Sequence, residues 1–150
     1  MHPTYTIETL SQYTEHDARA MGQLLTSLSD TFDGSPISEQ TLRNIIESPF
    51  HDQLVARDET GTIIGMLTVS ITIGAGVHRG AWLEDFVVDR STQGTGVGGK
   101  LWDALIEWCR AHDARKLDFT SKPTKVAAQQ FYLKRGAVVR DTNYFRLTIE

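Results

Sequence analysis

Apolar residues recur along this chain with two different periods, and the change from one to the other marks its elements. Tyr5 to Leu10 alternates polar and apolar residues, which predicts a first strand. From His16 to Ser29 the spacing changes: Ala18, Met21, Leu24, Leu25 and Leu28 fall on one face of a helix. Thr14 stands at its start as an N-cap, with Asp17 three residues on. Thr31 to Pro36 is a loop by composition. Ser38 to Glu47 predicts a second helix, capped by Ser38, striped by Leu42, Ile45 and Ile46, and ended at Ser48-Pro49. Gln53 to Arg57 and Thr62 to Thr72 read as two arms of a hairpin around the turn Asp58-Glu59-Thr60-Gly61.

Gly74 to Gly80 reads as a flexible connection to a central strand, Ala81 to Asp89. A glycine-rich loop, Arg90 to Gly99, follows it. A third helix then carries Leu101, Trp102, Leu105, Ile106 and Cys109 at helical spacing. Lys116 to Thr120 predicts a short strand and Lys125 to Arg135 a fourth helix, which Gly136 can end in the left-handed conformation. Val138 to Arg140 and Tyr144 to Ile149 read as two last strands. Strands interspersed with helices give a mixed α/β domain. With no linker, repeat or low-complexity segment, residues 1–150 are expected to form one domain.

Composition narrows the classes of partner. The net charge is −4, so no basic excess favours nucleic acid. No stretch approaches the ~18 apolar residues of a membrane span, and MHPTYTIETL has no leader pattern. Cys109 is the single cysteine and cannot form an internal disulfide. A soluble protein of a reducing cytoplasm is the expectation. No His or Cys pair has metal-ligand spacing, so no metal is expected.

The candidate chemistry lies where the central strand meets the third helix. Gln93-Gly94-Thr95-Gly96-Val97-Gly98, with Gly99 following, can turn several backbone N–H groups toward one point. The positive N-terminus of the helix aims at that point too, so the loop suits a pyrophosphate. Two templates fit. The dinucleotide fingerprint G-x-G-x-x-G is met by Gly94, Gly96 and Gly99, with Asp118 at a suitable offset for the acidic partner. It fits poorly, because the strand ends before the first glycine and too little chain follows for a second mononucleotide half. The other template, Q/R-x-x-G-x-G/A, is met by Gln93, Gly96 and Gly98. With LEDFVVD before it, AAQQFYLKRGAVV beyond it and NYFRLTI after that, the sequence resembles the GCN5-related N-acetyltransferase (GNAT) family.

That resemblance implies a mixed, mostly antiparallel sheet of about seven strands with about four helices, splayed between its fourth and fifth strands. It also implies acetyl-CoA as co-substrate, an amine acceptor and a homodimer. The backbone of Phe86, Val87 and Val88, the loop residues Gln93, Gly94, Thr95, Gly96, Val97, Gly98 and Gly99, and Lys125 would hold the coenzyme. The family often has Asn where Lys125 stands and Arg where Gln93 stands, so this loop lacks one charge-assisted contact.

The implied reaction is direct acetyl transfer to the primary amine of a small molecule. The Phe86 N–H would face the thioester carbonyl. Glu84, placed by strand alternation on the same side as Phe86 and Val88, could accept the amine's proton if burial raises its pKa. It could equally bind the ammonium or serve a structural hydrogen bond. Asp85 faces the other way in this reading. Tyr132 matches the tyrosine that sits near the coenzyme sulfur, where it would act as acid to the departing thiolate; the competing reading is a core aromatic beside Phe131. His78, Asp30 and Asp33 are weaker candidates for an acceptor pocket. The rival readings are a non-catalytic acyl-CoA sensor, acetylation of a peptide or protein amine, and a nucleotide-dependent oxidoreductase.

Overall fold

The computed structural model describes residues 4–150. The reading of MHPTYTIETL as leaderless includes residues 1–3, which lie outside the described part. The chain divides into two compact units, one reaching to Phe119 and the other running Thr120–Glu150.

In the first unit the order is β1 (Tyr5–Thr9), α1 (Glu15–Leu25), α2 (Glu39–Glu47), β2 (His51–Asp58), β3 (Ile63–Gly74), β4 (Val77–Val88), a short 3-10 turn (Arg90–Thr92), α3 (Val97–Ala111) and β5 (Leu117–Asp118). The five strands form one sheet in the order β1-β2-β3-β4-β5. The first three pairings are antiparallel; β4 and β5 run parallel, joined only at Ala81↔Leu117 and Trp82↔Asp118. Among the described residues no strand pairs with that edge of β4 beyond Trp82.

Each face of the sheet carries a helix. Leu10, Ala18, Met21, Leu24 and Leu42, from β1's end and from α1 and α2, bury against Val55, Met66 and Val87 on one face. On the other, α3 buries Val97, Leu101, Trp102, Leu105, Trp108 and Cys109; of the stripe read from the sequence Ile106 is only half-buried, and Val97 and Trp108 join the rest. Gly65 sits under this helix: a Cβ there would lie 2.9 Å from Leu101 and 3.3 Å from Val97, so the bare backbone sets how closely helix and sheet approach. Asp17 is buried at 3% exposure and is held by two hydrogen bonds from Arg57, Nη1 at 2.7 Å and Nη2 at 2.8 Å. Arg57 also pairs with Glu8, so the network ties α1 to β1 and β2. The Arg57 guanidinium holds the Asp17 carboxyl below the usual carboxylate range, against the opposing effect of burial.

The hairpin of β3 and β4 is longer than the sequence reading. Residues 74–80 are not a flexible connection: β3 runs to Gly74, β4 starts at Val77, and only Ala75 and Gly76 turn between them. Gly80 is there for close packing, since a Cβ would stand 2.9 Å from Thr72 Oγ1.

The second unit contains α4 (Val126–Lys134), ended by Gly136 at φ 91° as expected. Residues 138–140 and 144–149 are not strands, so the sheet has five strands among the described residues and not about seven. Alternation fits a segment for a sheet, but a strand exists only when another edge bonds to it.

Candidate active site

The central strand does not alternate evenly. Thr68 pairs with Glu84 and Met66 with Val87, so two residues of β4, Asp85 and Phe86, stand opposite Leu67 alone. This is a β-bulge, and Asp85 takes the left-handed conformation within it, at φ 52°. The extra residue shifts the phase of the strand. Glu84 therefore shares its face with Val87, toward α1, while Phe86 and Val88 lie on the α3 face. Phe86 packs with its ring centroid 6.4 Å from that of Trp102 on α3, and Val88 sits among the α3 side chains around Gly65. The expectation that Glu84, Phe86 and Val88 point to one side is corrected by this bulge.

Glu84 is exposed, not covered as its central strand suggested. The indole Nε1–H of Trp82 donates to its Oε1 at 2.7 Å, which fixes the carboxylate beside the β4 backbone. Across the sheet Glu84 continues a polar row: Thr68 is its cross-strand partner, and Thr68 Oγ1 donates to Oε1 of the buried Gln53 at 2.6 Å. Asp85 is reached by water, but its carboxyl is pushed up, first by burial of part of its surroundings and then by the charge of Glu84. Sequence reasoning missed Trp82, Thr68, Gln53 and the left-handed bulge at Asp85. A tryptophan two residues before a strand carboxylate was a readable signal; the bulge had none.

The loop closes against the end of β4. Asp89 caps the short turn by accepting from the Ser91 N–H at 2.8 Å. Gln93 turns its side chain inward, Nε2 donating to the Val88 carbonyl at 3.3 Å, so it braces the strand end. Thr95 Oγ1 donates to the Thr92 carbonyl. Gly94 and Gly96 are left-handed at φ 82° and 94°, which explains glycine at these two positions. Gly98 and Gly99 lie in the first turn of α3. Gly96 is the N-cap of that helix, no side chain caps it, and no acidic residue occupies its first turn. The early N–H groups of a helix have no intrahelical partner. A Cβ on Gly94 would meet nothing within 4 Å, so there is room over the loop. Uncapped donors, a positive helix end and open space form a donor set that fits a pyrophosphate.

In the second unit, Lys125 is the N-cap residue of α4, and Tyr132 lies on that helix with Phe131 edge-on at 5.7 Å. Burial pushes the Tyr132 phenol up, which makes it a weaker proton donor than an ordinary tyrosine. Elsewhere, Asp33 accepts from the Ser35 N–H at 2.9 Å and from its hydroxyl, bonds that hold its carboxyl below the usual range. His78 is exposed at the start of β4. Cys109 is buried, and burial pushes its thiol up, as suits an inert side chain.

The model of the acetyltransferase (GNAT) family matches residues 19–137. The chain belongs to this family. Solved structures share its fold. An acetyltransferase of Trypanosoma brucei is 24% identical over 97% of this chain and 100% of its own, with a TM-score of 0.77. An aminoglycoside acetyltransferase from an uncultured soil metagenomic sample is 21% identical over 97% of each chain, TM-score 0.77. Glucosamine-6-phosphate N-acetyltransferase from Arabidopsis thaliana is 21% identical over 96% of this chain and 98% of its own, TM-score 0.77. No curated protein matches the sequence. Family acetyltransferases use acetyl-CoA, which agrees with the loop's donor set. Among the described residues no helix is long and apolar enough to cross a membrane, and no cluster of His, Cys, Asp and Glu could hold a metal ion.

Proposed function

We propose that this GNAT protein transfers the acetyl group of acetyl-CoA to the primary amine of a small molecule. The observation that carries the reading is the open N-terminus of α3, preceded by the left-handed Gly94 and Gly96 at the end of β4. The backbone donors from Gly94 to Gly99, other than the Thr95 N–H that bonds to the Thr92 carbonyl at 3.3 Å, would hold the pyrophosphate, and the β4 edge from Phe86 to Val88 would pair with the coenzyme's amide arm. Acetyl-CoA supplies the activated acetyl thioester.

The chain's own residues then divide the work. The Phe86 N–H stabilises negative charge on the acyl oxygen. The ammonium first gives one proton to a carboxylate or to water; the free amine nitrogen then forms its bond to the acyl carbon, the carbon–sulfur bond breaks, and a second proton from that nitrogen ends on the departing thiolate. Glu84 attracts the ammonium and is the proposed base. Glu84 is exposed and held by Trp82; a second reading follows in which Glu84 binds and Asp85, the carboxyl with the raised pKa, receives the proton. Tyr132 steadies the leaving thiolate as a hydrogen-bond donor more than as an acid, given its raised pKa.

The test is acetyl-CoA binding by calorimetry, then thiol release across a panel of amines including short peptides. Binding with release for one amine class establishes the activity and its acceptor. Binding without release for any amine favours an acyl-CoA sensor, and no binding overturns the reading. Glu84→Gln is expected to lower kcat about a hundredfold with coenzyme affinity unchanged, the usual scale for loss of a general base. Should KM for the amine rise with kcat unchanged, Glu84 binds and Asp85 becomes the base to examine.

A further inference from the structure

One face of the sheet changes character along its strands. Under α1 it is apolar, with Val55, Met66 and Val87 in the core. Two residues away along β2 and β3 stand Gln53 and Thr68, which pair with each other, and Glu84 pairs with Thr68 from β4. These three side chains form a polar row on the same face. Exposure rises along it: Gln53 is 2% exposed, Thr68 is half-buried and Glu84 is exposed.

The protons of the row are committed within the protein. Thr68 Oγ1 donates to Gln53 Oε1 at 2.6 Å, and the Trp82 indole Nε1–H donates to Glu84 Oε1 at 2.7 Å. A threonine hydroxyl has one proton and two lone pairs. With its proton given to Gln53, the Thr68 oxygen offers a ligand lone pairs and no hydrogen. The Glu84 carboxylate is an acceptor only. Residues directly opposed across an antiparallel pair hold their Cβ atoms about 5 Å apart, so one small group can meet both oxygens. Gln53 lies too deep to meet it and acts on Thr68 instead. Two adjoining acceptors select a ligand atom with several N–H bonds. We infer that Thr68 is a second binding residue for the acceptor's ammonium, beside Glu84, and that Gln53 is the positioning residue that fixes the Thr68 hydroxyl as an acceptor. The site then reads the nitrogen by its hydrogens as well as by its charge: a primary ammonium gives one N–H to each oxygen and keeps a third to lose before attack, whereas a quaternary ammonium has none to give. This inference rests on the proposed acetyl transfer at this face.

The experiment titrates n-butylammonium and, separately, butyltrimethylammonium into the ¹⁵N-labelled full chain with coenzyme A present, following the amide shifts of Thr68 and Glu84. In Thr68→Val, which keeps the shape and removes the hydroxyl, affinity for n-butylammonium is expected to fall about tenfold, the scale of one hydrogen bond to a charged group. Affinity for butyltrimethylammonium should be unmoved, and Thr68→Ser should bind n-butylammonium within about twofold of the unaltered chain. Gln53→Leu should weaken n-butylammonium severalfold and spare the quaternary ion. Unchanged n-butylammonium affinity in Thr68→Val overturns the inference. So does an equal loss for both ions, which marks a structural effect, or a failure of n-butylammonium to shift these amides at all. Unchanged affinity in Gln53→Leu overturns the role given to Gln53; if that variant fails to fold, the two Thr68 variants still decide. Thiol release reports on acetyl transfer and equilibrium binding on Thr68, so each reading can fail without the other.

Discussion

α1 and α2 begin with closed N-termini and α3 begins with an open one. Thr14 accepts from the Asp17 N–H at 3.1 Å and Ser38 from the Thr41 N–H at 3.1 Å. Each of these helices also places acid in its first turn, Glu15 and Asp17 in α1 and Glu39 in α2. Their positive ends are neutralised from within. The α3 end has neither cap nor acid. An open end alone is not diagnostic, because α4 also lacks both. What distinguishes α3 is the pair of left-handed glycines that precedes it at the end of the central strand. The difference separates helix ends closed by their own side chains from an open one, the end proposed to take the coenzyme's pyrophosphate.

That contrast can be broken from either side. The largest effect is expected at the closed end of α1: Asp17→Ala removes both charge-assisted hydrogen bonds between α1 and the half-buried Arg57, leaving that guanidinium to Glu8 and the Gly61 carbonyl, and should cost roughly 3 kcal/mol in chemical denaturation. The same pair sets an acid limit. The folded pKa of Asp17 is depressed, so its stabilisation is present above the unfolded value near 3.8 and is lost as pH falls through the lower folded value. Asp17→Asn should flatten that part of the acid-stability profile. At the open end, Gly96→Asp sets a carboxylate where α3 has none. Acetyl-CoA affinity should fall about ten- to a hundredfold by calorimetry, or about 1.4 to 2.7 kcal/mol. Unchanged affinity would detach this helix end from coenzyme binding. Thr14→Ala opens the α1 terminus and should cost about 1 kcal/mol, with coenzyme affinity unmoved.

The smallest expected effect sharpens the role of the bulge. Asp85 has a raised folded pKa, so its ionisation opposes folding as pH rises from the unfolded value near 3.8 through the folded one. Asp85→Asn keeps a side chain that tolerates the left-handed conformation and removes the charge. Its Tm near neutral pH should rise on the order of a degree, and remain equal to that of the unaltered chain in acid. A lower Tm at neutral pH would show that the charge of Asp85 is stabilising.

The helices were legible because their signals are local. Thr14 and Ser38 cap where the sequence places them, and the α3 stripe is buried apart from Ile106 at its edge. The glycine loop was legible for a similar reason, since Gly94 and Gly96 declare a backbone geometry open to few other residues. What could not be read depends on pairing between distant residues. The bulge is a mismatch of count between β3 and β4, and neither strand carries it alone. Glu84 was identified as a candidate from its place on the strand, but its face, its exposure and its bond to Trp82 are properties of the assembled sheet. The last two strands failed for the same reason: Phe145, Leu147 and Ile149 have the right period and no partner among the described residues.

The bulge also bears on how this protein can change. Since residues 82 and 84 lie on one face and 86 and 88 on the other, the part of β4 proposed to meet an acceptor is decoupled from the part that packs against α3. On the proposed reading, substitutions at Trp82 or Glu84 are expected to change the choice of amine while leaving the Phe86–Trp102 contact in place. A one-residue deletion at 85 would rejoin the two halves, turning Glu84 and Phe86 to a common side, and would exchange an independent pair of surfaces for a single rigid one.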